Sequence, residues 1–150
     1  MKFIVDKGTL KDLEDIVDFQ VMMADESEGT ELDRATVLKG VEAGLKDPQK
    51  GTYYLTRDEN GRAVGSLFLT KEWSDWNNCW YWWIQSVYVR PECRRLGAFT
   101  TLYSKVREFA RAEGSTCLRL YVDKGNVRAQ QCYKKLGMDE CHYLMYEEEL

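Results

Sequence analysis

The stretch from Trp80 to Val122 constrains this chain more than any other. Trp80 to Val89 reads as a long strand, and Pro91, which has no N–H for a ladder, ends it. From Gly97 to Glu113 the period changes. Phe99, Leu102, Val106 and Phe109 recur at three and four residues, which is one face of a helix, and Gly114 stops it. Leu118, Leu120 and Val122 then alternate as a second strand over 117–122, with Arg119 and Tyr121 pointing the other way. A strand, a helix and a strand in succession form a β-α-β unit, so the two strands are expected to lie parallel.

The rest of the chain fits around that unit. Residues 2–5 read as a first strand, and Thr9 is an N-cap with Asp12 in the first turn. Leu10, Leu13, Ile16, Val17 and Val21 make a helix face that fades into an acidic loop, ADESEGTELD. Asp33 caps a second helix carrying Val37, Leu38, Val41 and Leu45. Thr52 to Thr56, the turn DENG at 58–61 and Arg62 to Leu69 read as a hairpin, because Asn-Gly accepts positive φ. Ser74 to Asn78 is the next tight connection, so three antiparallel strands form a meander. Val127 to Leu136 is a short helix ended by Gly137, and His142 to Tyr146 is a last strand. The outline is α/β: one mixed sheet in the order β-α-α-β-β-β-α-β-α-β, helices on both faces, and a single domain over residues 1–150.

Bulk composition narrows the function. The formal net charge of -4 argues against a general nucleic-acid binder, which would be basic. Five cysteines without CxxC spacing read as free thiols in a reducing compartment. The single histidine, His142, has no ligand pattern around it, so no metal site is expected. The opening apolar run is too short for a signal peptide and no run approaches a membrane span. A cytoplasmic protein without membrane or nucleic-acid partners is the expectation.

The sequence VYVRPECRRLGAF, residues 87–99, places two arginines and a glycine at the mouth of a helix. A solvated basic turn is one reading. An anion site is the other. The helix start has unpaired N–H groups and the positive end of the dipole. A turn running from Arg94 through Arg95, Leu96, Gly97, Ala98 and Phe99 to Thr100 can point several of them at one anion. Gly97 lacks a Cβ, which lets a phosphate approach, and Arg94 is the more inward of the two arginines.

A second block, NVRAQQCYKKLGM at 126–138, follows about thirty residues later with a strand between. Together the two blocks make the chain resemble the GNAT superfamily of acyl-CoA-dependent N-acetyltransferases. The first matches a strand ending V-x-P and then R/Q-x-x-G-x-G/A, with Arg94 at the R/Q position and Gly97 as the central glycine. Phe99 stands where Gly or Ala is usual, and Arg95 where a glycine is frequent. The second matches N-x-x-A-x-x-x-Y-x-x-x-G-F through Asn126, Ala129, Tyr133 and Gly137, with Met138 for the aromatic.

The resemblance implies acetyl-CoA as cosubstrate, its diphosphate on the turn Arg94–Thr100 and its pantetheine arm paired like an added strand with the backbone around Val87, Tyr88 and Val89. It implies transfer of the acetyl group to a primary amine, with a backbone N–H near Val87 on the oxyanion and Tyr133 as proton donor to the leaving thiolate. Tyr133 can equally be a packing residue, and Asn126 can cap its helix as well as contact the cofactor. The strand positions where relatives carry a base hold Trp83 and Gln85. Glu26, Glu28 and Glu31 in the loop after the first helix, and Glu72 and Asp75 in the Trp-rich turn, are the carboxylate candidates, with water-mediated deprotonation as an alternative. Of these, Glu28, Glu72, Trp83 and Gln85 are taken as the substrate set. Trp73, Trp76, Trp80, Trp82 and Trp83 read as core and homodimer contact, or in part as the wall of an acceptor site for a cationic amine. Two other classes stay open: a non-catalytic acyl-CoA-binding regulatory module, and an interaction module using the arginine turn.

Overall fold

A computed structural model describes residues 2–150. Strand β1 (Ile4–Lys7) leads into helix α1 (Leu13–Glu28) and helix α2 (Arg34–Lys46). Strands β2 (Thr52–Arg57), β3 (Ala63–Ser74) and β4 (Cys79–Val89) follow, then helix α3 (Ala98–Ala112), strand β5 (Leu118–Arg119) and helix α4 (Val127–Lys135). The five strands form one sheet in chain order, antiparallel except for the parallel β4–β5 pair. The β-α-β unit and the meander are both present.

Alternation along the strands sends side chains to two cores. On one face Tyr54, Leu67, Leu69, Trp82 and Ile84 pack against Leu102, Tyr103, Val106 and Ala110 of α3. On the other, Tyr53, Leu55, Ala63 and Tyr88 pack against Ile16, Val17 and Phe19 of α1 and Val41 of α2. Leu102 and Val106 lose all their exposure, which favours the fold by about 1.5–3 kcal/mol each. Asp33 caps α2 through the Thr36 N–H, as the sequence indicates.

Several boundaries differ from expectation, beginning with β1, which spans Ile4–Lys7 rather than residues 2–5. Helix α1 runs on to Glu28 and stops at Gly29, whose φ is 61°, so Glu26 and Glu28 are helical rather than in a loop. A run of carboxylates does not end a helix whose polar face is solvated; the left-handed glycine does. Strand β3 extends to Ser74 because β4 pairs with it up to Ser74–Cys79. That far end of the hairpin outruns the helices, so Trp73, Trp76 and Trp80 are 49%, 90% and 47% exposed, and Trp82 alone of the five is in the core. Strand β5 has two residues instead of six. The expected last strand, His142–Tyr146, is not formed: residues 139–150 are exposed and in no helix or strand. The β-prone composition is there, but a strand needs a neighbour to pair with, and none runs beside it among the described residues.

Strand β4 carries one irregularity that decides the geometry below. Ser66 pairs with Tyr88 and Phe68 with Gln85, so three steps on β4 oppose two on β3. The extra residue is a β-bulge at Ser86, which takes the left-handed φ of 53°. The bulge exchanges the faces. Before it, Trp82 and Ile84 face α3; after it, Tyr88 faces α1 and Val87 packs on the α3 side.

Candidate active site

β4 and β5 pair only at Trp82–Leu118 and Trp83–Arg119. Beyond those pairs β4 continues for six residues to Val89 while β5 has ended, so the sheet opens into a fork. The Arg90 N–H bonds to the Val64 carbonyl on β3 at 2.7 Å. Strand alternation then turns the N–H and C=O of Val87 and Val89 to the opposite edge, into the fork. Without the bulge, the parity would be reversed. Tyr88 faces away: its ring is in the α1-side core and its carbonyl lies against Gly65.

The turn at the end of the fork is built from backbone conformations that expose N–H groups. Arg95 has φ 63° and Gly97 φ 94°. The first explains why a glycine is frequent at this position in the family pattern; the second demands one. Nothing in the protein lies within 4 Å of where a Gly97 Cβ would sit, so the space in front of it is open. The Gly97 carbonyl accepts the N–H and the hydroxyl of Thr101 at 2.9 and 2.8 Å. The N–H groups of Ala98, Phe99 and Thr100, in the first turn of α3, find no acceptor among the described residues.

Arg94 is held inward. Its Nε donates to the Val89 carbonyl at 2.9 Å and its Nη2 to Glu26 Oε2 at 2.6 Å, while its guanidinium lies 5.3 Å from the Tyr88 ring centre. Glu26 also accepts the Tyr88 hydroxyl at 3.0 Å. Burial, then this hydrogen bond and the charge of Glu26, push the Tyr88 phenol up. The last turn of α1 is thereby tied to the turn that starts α3. Arg95 and Leu96 are exposed.

Helix α4 reaches the start of α3. Tyr133 lies edge-on to Phe99 at 6.0 Å, which brings the two sequence blocks together. Burial, and next the neighbouring Cys132 sulfur, push the Tyr133 phenol up, so it holds its proton throughout the neutral range. Asn126 caps α4 by accepting the Ala129 N–H at 3.1 Å.

The carboxylate candidates separate. Glu72 Oε1 accepts the Trp83 indole N–H at 2.7 Å and Arg119 Nη1 at 3.0 Å. Gln85 donates to Thr70 at 2.6 Å, one cross-strand step along the same face. Glu72, Trp83 and Gln85 are therefore brought together, and Glu28, exposed at the end of α1, makes no polar contact with them. Sequence reasoning missed Arg119 as part of this cluster; it stacks over Tyr81 at 4.7 Å and lies 5.8 Å from Tyr143. Its placement opposite Leu118 and Leu120 on an alternating strand was the available signal. Glu26 and Glu72 are both spoken for by cations, so neither is an unpaired base.

This arrangement can hold an extended chain of amides along an open strand edge, an anion at its end and a phenolic proton beside it. Comparison with known proteins supplies the family. The Acetyltransferase (GNAT) family matches the chain over residues 13–138. A possible acetyltransferase from Clostridium difficile 630 superposes with a TM-score of 0.92 at 39% identity, covering 100% of this chain and 99% of that one. An uncharacterized N-acetyltransferase, YhfO, of Bacillus subtilis (strain 168) is 28% identical over 109 residues, 71% of this chain and 73% of its own length. A "predicted acetyltransferase" of Clostridium acetobutylicum, solved with acetyl-CoA, shares the fold at a TM-score of 0.78 and 15% identity, covering 98% and 96% of the two chains.

Proposed function

The chain belongs to the GNAT acetyltransferase family, and from that premise we propose that its 150 residues act as one domain transferring an acetyl group from acetyl-CoA to a primary amine. The observation that carries the reading is the fork: a bulge at Ser86 aims the Val87 N–H into a gap that ends at an exposed cluster of N–H groups. The pantetheine arm adds as a strand along Val87 and Val89, and the diphosphate takes the N–H groups of the turn from Arg95 to Thr100. Hydrogen bonds to a charged partner contribute about 1.5–3 kcal/mol each, so three or four suffice for useful affinity. Arg94 shapes that turn, and Asn126 and Ala129 set the start of α4 beside it.

The neutral amine attacks the thioester carbonyl, forming a C–N bond while the oxyanion is held by the Val87 N–H. The C–S bond then breaks, and the thiolate takes the Tyr133 proton; the phenolate is restored by the proton the amine sheds. The acceptor enters on the face of Glu72, Trp83 and Gln85. The aromatic rings there suit a cationic amine. Free thiols at all five cysteines fit a cytoplasmic setting, and no helix among the described residues is long and apolar enough to cross a membrane.

The test is calorimetry with acetyl-CoA, followed by thiol release over a panel of amines. Binding with turnover on cationic amines is expected. Binding without thiol release on any amine would favour the non-catalytic acyl-CoA-binding module, which the engagement of Glu26 and Glu72 by arginines also allows. No binding would end the proposal.

A further inference from the structure

Helices α1 and α2 cover only part of their side of the sheet. Tyr53, Leu55, Ala63 and Tyr88 lie beneath them. Trp82 and Ile84 face α3, so alternation turns Tyr81, Trp83 and Gln85 to the α1 side. Thr70 and Glu72 of β3 and Arg119 of β5 meet them there through side-chain hydrogen bonds and the stacking of Arg119 over Tyr81. None of these side chains is buried. The result is an uncovered strip, polar and aromatic, that runs along β4 toward Val87.

Two opposite charges in this strip touch without closing on each other. The Trp83 indole N–H and Arg119 Nη1 both converge on Glu72 Oε1, at 2.7 and 3.0 Å, and Oε2 accepts no hydrogen bond among the described residues. A closed guanidinium–carboxylate pair would use two parallel bonds and both oxygens. Arg119 has five N–H groups to place. One goes to Glu72, and the Cys117 thiol is its other hydrogen-bonding neighbour. The guanidinium lies over the Tyr81 ring at 4.7 Å, and the side chain is 29% exposed, so a ligand can reach it. The charges of Glu72 and Arg119 cancel. The strip therefore has no net pull on a dication, and it offers a carboxylate a guanidinium with donors to spare.

We propose that the acceptor is an extended peptide that lies along this strip, its amine at the fork and a carboxylate seated on Arg119. The proposal deepens the acetyl-transfer reading and rests on it for the position of the reacting amine. Arg119 pairs with Trp83 and reaches over Tyr81, so its guanidinium lies four to six steps along β4 from Val87. At about 3.3 Å per residue those steps span roughly 13–20 Å. A single amino acid or a short diamine does not bridge that length. An extended peptide advances about 3.3–3.6 Å per residue, so roughly four to six residues do. Arg119 is then a specificity-determining residue: it selects the acceptor by charge and spacing and takes no part in the bond changes.

Calorimetry and 15N spectra of the whole chain, with coenzyme A present, compare the peptide Ala-Gly-Gly-Gly-Glu with its Gln counterpart. Both are amidated at the C-terminus, so the glutamate supplies the sole carboxylate. The Trp83 indole signal, identified by its loss in Trp83→Phe, is the reporter, because that N–H bonds to Glu72. The Glu peptide is expected to bind about tenfold tighter and to move that signal. Arg119→Gln brings the two affinities together, while Arg119→Lys, which keeps the charge, retains a preference. Thiol release over a series with the glutamate at the second to the sixth position gives a kcat/KM that is highest from the fourth position on, and flat in Arg119→Gln. Equal affinities in the wild-type protein, a preference that survives Arg119→Gln, or a maximum at the second position would each overturn the proposal. A moved Trp83 signal and a Glu preference without thiol release on any peptide would uphold the carboxylate seat and end the acetyl-transfer reading instead.

Discussion

Glu26→Gln tests the tie between α1 and the turn that opens α3. Glu26 makes two contacts, Arg94 at 2.6 Å and the Tyr88 hydroxyl at 3.0 Å. The ion pair is 35% and 41% exposed on its two sides, so water screens it and its contribution is held to about 0.5–1 kcal/mol. Glutamine keeps an oxygen for Tyr88 but loses the charge that strengthens that bond, a further loss of about 0.5–1 kcal/mol. Its amide also turns a donor toward a donor at Arg94. The sum, about 1–2 kcal/mol, lowers Tm by roughly 3–6 °C for a chain of this size. Differential scanning fluorimetry at low salt measures it, and the difference narrows at 1 M salt, where the pair is screened. The Arg94→Gln partner completes a double-mutant cycle with a coupling of about 0.5–1 kcal/mol. An unchanged Tm, or strictly additive losses, would refute the reasoning that this pair fixes the turn. In the same variants acetyl-CoA binding weakens, because Arg94 no longer anchors the Val89 carbonyl and residues 94–97 move.

Tyr133→Phe lowers kcat on the order of 100-fold and leaves the acetyl-CoA Kd unchanged, measured by thiol release and calorimetry; unaltered turnover would remove the phenol from the reaction. Gly97→Ala places a Cβ at φ 94°, at a cost of about 1–2 kcal/mol, and into the open space proposed for the diphosphate. Since no protein atom is near, a raised acetyl-CoA Kd beyond the loss of Tm separates the binding role from backbone strain. Tyr53 is pushed up to about 12 by burial. Its folded value lies above the unfolded one of about 10, so its contribution to stability is complete below pH 10 and is lost as pH rises toward 12. Urea unfolding at pH 9 and pH 11 shows a drop that Tyr53→Phe reduces; an equal drop in the variant would contradict it.

What could be read from the sequence were features whose cause is local. The switch from alternation to a three-four period around Pro91 locates β4 and α3, because both patterns are written in neighbouring side chains. Asp33 and Asn126 declare themselves as caps for the same reason. Gly97 stands out at the mouth of α3, and the structure gives it the left-handed φ of 94°. What escaped depends on distant partners. Nothing about Ser86 announces a left-handed residue, since the bulge arises from how β3 and β4 meet. The Glu26–Arg94 and Glu72–Arg119 pairs span 68 and 47 residues. His142–Tyr146 is the instructive miss: its run of apolar and aromatic residues reads as a strand, but composition cannot supply the neighbouring edge that a strand needs, and the segment forms none.

The bulge has a consequence that joins these pieces. A strand without it would keep one parity from Trp82 to Val89, sending the Val87 N–H toward β3 and the ring of Tyr88 onto the α3 face. The extra residue at Ser86 reverses both at once. It turns Val87 and Val89 into the fork and Tyr88 onto α1, where its hydroxyl meets Glu26. Glu26 in turn orients Arg94, and Arg94 bonds back to Val89. The open strand edge and the strut that shapes its far end are therefore products of one inserted residue. Deleting Ser86 should abolish acetyl-CoA binding and detach α1 together, whereas Ser86→Gly, which accepts φ 53° without strain, should preserve both. Retention of cofactor binding after the deletion would show that the fork does not depend on the parity of β4.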